Sequence, residues 1–328
     1  MAELTTPWTI LVEMTLGCNR LCPFCGMCGI QAKPGGPYQF MTLETADALA
    51  EQCASFVPTR RYEFAMRGEP TMNPKYLEIL SVFRNRLPKA QIMVTTNGVR
   101  MRNGKMEKTL RAMFAAGVDF ILLDTYEPER HELRQAVFSL PADIRVIGFY
   151  SDEDCPNPYY NHGRKVRDTV FVLDDLSIMS GTKVQKVLSN HCGNAETQPD
   201  VPSPLPKKCV MPFRQIVAHW NGDWNFCCND FGSELSLGNV YRDHLRTVWN
   251  GEVMQAIRAC LFHRDRRFPP CSRCDYPGGM RQGLLPKMDL PTATQRQLIK
   301  RCVAYCAKHT KLNTLPSKVG FSKEEMKG

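Results

Sequence analysis

No stretch of the sequence approaches the roughly 18 to 20 consecutive apolar residues that a membrane-crossing helix requires. The opening residues, MAELTTPWTILVEM, lack the basic flank, apolar core and small-residue cleavage site of a secretory signal. A cytoplasmic location is therefore expected, or the host cytoplasm for a viral protein. Internal repeats and low-complexity tracts are missing too, which excludes solenoid and fibrous architectures. Acidic charge is in deficit: 42 Lys and Arg stand against 33 Asp and Glu, a formal net charge of +9. Most of that excess lies in residues 281 to 328, where ten Lys or Arg face only Asp289, Glu324 and Glu325. The remainder of the chain is nearly neutral, so a basic tail is the one feature of the charge that suits a phosphate-bearing partner such as DNA or RNA. A solvated helix surface gives the same pattern.

Cysteine, by contrast, is plentiful. The 15 cysteines are an odd number, which a closed disulfide framework does not explain, and in a reducing compartment clustered thiols bind metal or do chemistry. With 328 residues, 43% of them apolar, the chain is long enough for one large core and a smaller module.

The pattern along the chain alternates strand and helix. Strands are predicted at 8–14 (WTILVEM), 61–66 (RYEFAM), 90–98 (AQIMVTTNG), 118–126 (VDFILLDTY), 143–150 (DIRVIGFY) and 168–176 (DTVFVLDDL). Helices are predicted between them at 42–56, with Thr42 as N-cap, at 74–87, at 105–117, stopped by Gly117, and near 127–137. Alternation with short connections specifies a parallel α/β sheet, here a partial (β/α)6 TIM-like barrel. In such folds the reactive groups come from loops at the carboxyl ends of the strands. The first cysteine loop, RGEP, TTNG and LDTY all lie at such ends.

Cys18, Cys22 and Cys25 have the spacing C-x3-C-x2-C. Three thiolates suit three irons of a [4Fe–4S] cubane and leave one iron open. The rival is structural zinc, which closes with four ligands and for which Cys28 is the available fourth. The stretch CNRLCPFC, with Phe24 before the last cysteine, resembles the signature of the radical SAM superfamily, and RGEP and TTNG follow in that family's order. The resemblance implies that the open iron chelates S-adenosylmethionine, whose reductive cleavage gives a 5′-deoxyadenosyl radical that abstracts a substrate hydrogen. It implies that Glu69 receives the methionyl amine, with Gly68 and Pro70 shaping its turn. It also implies that Thr96 and Asn97 reach cofactor oxygens, and that Asp124 and Thr125 hold ribose hydroxyls. Arg67 is left as either a carboxylate partner or an ordinary surface ion pair, and Cys28 as non-ligating, because a fourth thiol blocks the cofactor.

A second cysteine set follows a proline-rich linker. NGDWNF reads as a hairpin that brings Cys209 and Cys227 together, and Cys271 and Cys274 form a C-x2-C knuckle. Four cysteines alone suit zinc. The wider pattern is similar to the twitch and SPASM extensions of radical SAM enzymes, which implies an auxiliary [4Fe–4S] cluster and favours Cys227 over the adjacent Cys228. A thiol such as Cys155, Cys192 or Cys260 is the candidate for quenching a substrate radical by hydrogen donation, with Cys192 in the polar SNHCGN loop the first choice as a catalytic residue; His191 beside it is a candidate proton exchanger.

The expected organisation is a barrel at 1–190, a linker at 191–208, a small hairpin and helix iron–sulfur domain at 209–284 and a basic helical tail at 285–328. In the tail, Leu298, Ile299, Cys302, Val303 and Cys306 form an apolar stripe opposite Arg296, Lys300, Arg301 and Lys308. The function expected is that of a radical SAM isomerase or oxidoreductase with two [4Fe–4S] clusters, served by an electron donor such as flavodoxin or ferredoxin. The basic tail directs the first choice of substrate to a nucleobase or nucleotide, as in thymidine hypermodification of viral DNA. The alternatives are a dehydrogenase or epimerase of an aminocyclitol or sugar, a peptide-modifying enzyme, and a non-catalytic zinc protein that binds nucleic acid.

Overall fold

The computed structural model describes residues 6–148, 166–174, 189–195 and 204–278, together with positions 294, 297, 300, 301 and 304 of a tail helix. Its elements run β1 (Thr9–Val12), β2 (Thr15–Leu16), β3 (Gln39–Phe40), α1 (Leu43–Phe56), β4 (Arg61–Phe64), α2 (Tyr76–Arg86), β5 (Gln91–Thr96), α3 (Met106–Ala115), β6 (Phe120–Thr125), α4 (Arg130–Phe138), β7 (Arg145–Gly148) and β8 (Thr169–Asp174). The auxiliary segment adds α5 (Met211–Arg214), β9 (Gln215–Ala218), β10 (Asp223–Asn225), β11 (Ser236–Asn239), α6 (Leu245–Asn250) and α7 (Glu252–Phe262).

Local chemistry sets the ends of these elements. The Thr42 hydroxyl accepts from Thr45 N at 3.1 Å and caps α1, whose Ala46, Leu49, Ala50, Cys53 and Phe56 recur at helical spacing and are buried. Gly117 stops α3 with φ +100°, and its carbonyl is held by the Arg84 guanidinium at 2.7 and 2.9 Å.

Among the described residues, nine strands form one sheet in the order β11-β10-β9-β1-β4-β5-β6-β8-β7. From β9 to β7 every neighbouring pair is parallel, whereas β10 and β11 are antiparallel additions. Two features depart from a simple reading along the chain. First, β8 slots between β6 and β7 instead of following β7. The run TVFVL is apolar on both faces and suits an interior place, whereas the partly exposed RVIG suits an edge. Second, β9 pairs with β1, Ile10 opposite Ile216, so the auxiliary segment continues the barrel sheet. One buried core accordingly runs from Ile10, Phe64 and Val94 through to Trp224, Trp249 and Ile257. On the opposite sheet face a smaller cluster holds Met93, Phe120, Leu122, Phe171 and Leu173.

In the tail, Thr294, Gln297, Lys300, Arg301 and Ala304 are helical, and Arg301 pairs with Glu252 of α7 at 3.5 Å. The predicted stripe through Cys302 and Cys306 lies outside the described residues, as does Cys155.

Candidate active site

β1 delivers the chain to the first cysteine loop. Within it Cys25 N donates to Cys22 O at 2.8 Å and Cys28 N to Cys25 O at 3.1 Å, tight turns that keep the Cys18, Cys22 and Cys25 thiols within electrostatic reach of one another. Burial, foremost, pushes the Cys18 thiol up to about 12. A bound metal cation supplies charge that offsets this burial and favours the thiolate. Cys28 also lies within electrostatic reach of Cys25, but its Sγ donates to Cys22 O at 3.1 Å. The loop is closed by a residue with no motif to announce it. Gln31 accepts from Cys18 N at 2.8 Å and donates to Cys18 O at 2.7 Å and Lys33 O at 2.6 Å.

The RGEP turn follows β4. Gly68 forms a parallel bridge with Gly17, and a Cβ there would lie 2.3 Å from Thr15 O, so only glycine admits this approach. Pro70 opens a short 3-10 turn capped by the Glu69 side chain. Glu69 is 3% exposed, and its Oε1 accepts from Thr71 N, Thr71 Oγ1 and Thr96 Oγ1, while Oε2 accepts from Asn97 N at 2.8 Å. Burial raises its affinity for a proton, and these hydrogen bonds oppose the rise. Among the described residues no Lys or Arg pairs with it. A buried carboxylate in that state fits an ammonium ligand at Oε2. Thr96 and Asn97 act here inside the protein: the Asn97 amide donates to Asn19 Oδ1 at 2.8 Å and lies 3.6 Å from Cys18 Sγ.

At the end of β6, Tyr126 OH donates to Asp124 Oδ2 at 3.1 Å. Asp124 Oδ1 is buried without a partner among the described residues, an acceptor that fits a hydroxyl-bearing ligand. Burial pushes this carboxyl up to about 7, the Tyr126 bond opposing and Glu69 adding to the rise. Tyr126 also carries the Phe24 ring at 5.4 Å and the Arg20 guanidinium at 5.7 Å, which ties the cysteine loop to the β6 end. Thr125 instead donates to Leu173 O at 3.1 Å.

Arg67 is no surface ion pair. It is 3% exposed and grips Glu13, itself 0% exposed, through Nε at 2.7 Å and Nη2 at 2.9 Å. Nη2 also meets His219 Nδ1 at 3.0 Å, and Nη1 donates to Phe231 O at 3.2 Å. Burial opposes ionisation of Glu13, but Arg67 and then His219 outweigh it and hold the carboxyl well below the usual range. The network joins the ends of β1, β4 and β9.

In the auxiliary segment Cys209, Cys227, Cys271 and Cys274 line one small cavity, and Cys192 stands in the same wall. Cys228 is not among the lining residues; its neighbours are Cys227, Gln215 and Glu63, and Cys274 and Cys209 lie within electrostatic reach of it. Among the described residues no three His, Cys, Asp or Glu side chains converge to hold a single metal ion, the arrangement a tetrahedral zinc site requires. Cysteines spread around a cavity suit a cluster of several atoms instead. The two cysteine regions touch: a Cβ on Gly26 would meet Phe231 and His191, and one on Gly29 would meet Asn194. The His191 ring lies 4.4 Å from that of Phe231, and its Nδ1 is buried without a partner among the described residues.

Residues 12–137 match the model of the radical SAM superfamily, and residues 209–275 match the SPASM iron–sulfur cluster-binding domain. The chain belongs to the radical SAM superfamily. Its cofactors are S-adenosylmethionine and [4Fe–4S] clusters, one that binds S-adenosylmethionine and one auxiliary. An S-adenosyl-L-methionine-dependent 2-deoxy-scyllo-inosamine dehydrogenase from Niallia circulans is 22% identical over 268 residues, covering 81% of this chain and 92% of that one. The crystal structure of BtrN in complex with AdoMet and 2-DOIA matches with a TM-score of 0.62 at 20% identity, over 82% of this chain and 93% of the other. BtrN in an open conformation matches at 0.55 and 17%, over 86% and 99%. These similarities place the radical SAM enzyme on a partial TIM barrel. No helix among the described residues is long and apolar enough to cross a membrane.

Proposed function

We propose that this radical SAM enzyme dehydrogenates an alcohol carbon of an aminocyclitol or similar sugar-like metabolite. The observation that carries the reading is the packing of the first cysteine loop against residues 191, 194 and 231 beside the auxiliary cavity. An alcohol carbon that has lost a hydrogen atom becomes a carbonyl by losing one further electron and one proton. Oxidation therefore needs an electron acceptor close by, and the auxiliary cysteines would hold one. The extent of similarity to a cyclitol dehydrogenase supports the substrate class. The nucleobase reading rested on the basic tail alone. Epimerisation needs a hydrogen-donating thiol, and of the candidates Cys192 lines the auxiliary cavity while Cys260 is 0% exposed within the core.

When bound, the first cluster and S-adenosylmethionine supply a one-electron route to hydrogen abstraction. Cys18, Cys22 and Cys25 hold that cluster, and Glu69 receives the methionyl ammonium. Gly68 and Pro70 set the position of Glu69 from the backbone side, and Thr96 and Asn97 from the strand side. Phe24 packs the loop against Tyr126 with tilted rings, and Asp124 accepts from ribose hydroxyls. Cys209, Cys227, Cys271 and Cys274 hold the auxiliary cluster.

The test is deuterium transfer. With 2-deoxy-scyllo-inosamine or related cyclitols deuterated at the carbinol carbons, label is expected in 5′-deoxyadenosine and a ketone in the product pool. Transfer from a thymidine nucleotide or DNA, with none from any cyclitol or sugar, overturns the reading.

Asp124 gives a second test. A carboxyl titrating near 7 changes its ionised fraction about tenfold between pH 6 and pH 8. Since the ionised form is the stronger acceptor, S-adenosylmethionine binding is expected to tighten by up to about that factor over this range, and Asp124→Asn to flatten the profile. The raised affinity for a proton has the opposite effect on the cofactor-free fold. Its contribution to stability falls as pH rises from the ordinary carboxylate range through about 7. Calorimetric titration across pH checks the first expectation and thermal melts the second.

A further inference from the structure

Cys18 is held at every polar atom. Gln31 accepts from its N–H at 2.8 Å and donates to its carbonyl at 2.7 Å. Its sulfur receives two N–H donors, Arg20 N at 3.4 Å and Asn97 Nδ2 at 3.6 Å. The second comes from the end of β5, 79 residues further along the chain. What surrounds the Asn97 carboxamide fixes its direction. Gly98 takes φ +68°, and the turn it makes brings Val99 N to Asn97 Oδ1 at 3.0 Å. A backbone N–H needs an acceptor, so the amide oxygen faces Val99 and the nitrogen faces the cysteine loop. There Nδ2 divides its two hydrogens between Asn19 Oδ1, at 2.8 Å, and Cys18 Sγ. The residue is 8% exposed, and both amide hydrogens are engaged inside the protein. Its backbone serves the other half of the site, where Asn97 N donates to Glu69 Oε2 at 2.8 Å. Asn97 thus spans from the buried carboxylate to a cysteine of the first loop.

We propose that Asn97 is a positioning residue that joins the two halves of the S-adenosylmethionine site. Its backbone N–H orients Glu69, and its carboxamide donates to Cys18 Sγ and thereby raises the reduction potential of the cluster held there. The inference rests on the reading that Cys18, Cys22 and Cys25 hold that cluster. A sulfur bound to iron is an acceptor, and an N–H aimed at it stabilises the extra negative charge of the reduced state. Removing the donor disfavours reduction, whereas the backbone bond to Glu69 survives a change of side chain. The two roles of Asn97 are therefore separable by substitution. The potential follows the side chain, and affinity for S-adenosylmethionine follows the backbone.

The experiment uses the full-length protein with both clusters. Asn97→Ser and Asn97→Asp each keep an oxygen for Val99 N and remove the amide donor; the serine hydroxyl stops one bond short of the Nδ2 position and adds no charge. Midpoint potentials come from EPR-monitored redox titration, the first cluster's signal being the one absent from Cys22→Ala. Both variants are expected to keep about eight irons. Reduction of the first cluster should become about tenfold less favourable, a downward shift of about 59 mV for a one-electron couple, with the auxiliary potential unmoved. Calorimetric affinity of oxidised Asn97→Ser for S-adenosylmethionine should stay within about threefold of the parent protein. An unchanged first-cluster potential in either variant that keeps its irons overturns the donor role. An equal shift of both clusters overturns it too, as the mark of a general rearrangement. A loss of affinity of tenfold or more in Asn97→Ser overturns the division between side chain and backbone. Loss of about four irons from both variants overturns the tuning role by making Asn97 a structural prop of the loop. An EPR spectrum of Cys22→Ala identical to that of the parent protein defeats instead the ligand reading on which the inference rests.

Discussion

Alanine at Cys18, Cys22 or Cys25 is expected to bring 5′-deoxyadenosine formation below detection and to lower iron from about eight to about four atoms per chain. Each thiol serves one iron corner, and the loop offers no replacement in the right place. Cys28 is three residues from Cys25, but its Sγ donates to the Cys22 carbonyl at 3.1 Å. Cys28→Ala is therefore expected to retain both the iron and the cleavage activity. Iron analysis and chromatographic assay of 5′-deoxyadenosine, on protein purified without oxygen, check both outcomes. A cluster lost from Cys28→Ala and kept in Cys22→Ala would falsify the ligand assignment.

The second large effect concerns stability. Arg67→Ala leaves the fully buried Glu13 carboxylate without its bidentate cation, and breaking such a pair costs about 3–5 kcal/mol. It also removes the bonds to His219 and Phe231 that tie the barrel to the auxiliary segment. Arg67→Lys is expected to recover only part of the loss, because one ammonium cannot reproduce the guanidinium fork. The double variant Glu13→Gln/Arg67→Met should be more stable than Arg67→Ala, since it leaves no buried charge. Urea unfolding of the four proteins gives the comparison. The pH dependence has a definite sign. Glu13 is held below the ordinary carboxylate range, so its contribution is complete above that range and is lost as acidification protonates it. In Arg67→Met that acid-side dependence should be much reduced.

Much of the framework was legible because its signals are local. The apolar runs, the Thr42 cap and Gly117 announced strands and helices close to where they occur, since each depends on residues within a turn or two. The hairpin at NGDWNF was legible for the same reason. Other features left no local trace. Gln31 is an ordinary polar residue until the chain folds and its amide spans Cys18. Arg67 read as a possible surface pair because its partners lie 54 and 152 residues away in sequence. Cys192 sat in a polar string, SNHCGN, yet its thiol is buried; the polar neighbours Ser189 and Asn190 face Asp275 and Arg273 instead of solvent.

By itself the sequence determined that Cys18, Cys22 and Cys25 share a single loop, whose resemblance to the radical SAM signature implied the cofactor, and it determined the alternation of strand and helix. Tertiary structure alone decided that β8 enters between β6 and β7, that β9 extends the barrel sheet from β1, and that Cys192 joins the auxiliary cysteines. The reason is separation along the chain. Spacing over a few residues is encoded in the backbone that links them, whereas contacts across tens or hundreds of residues are fixed by burial and pairing in the folded state.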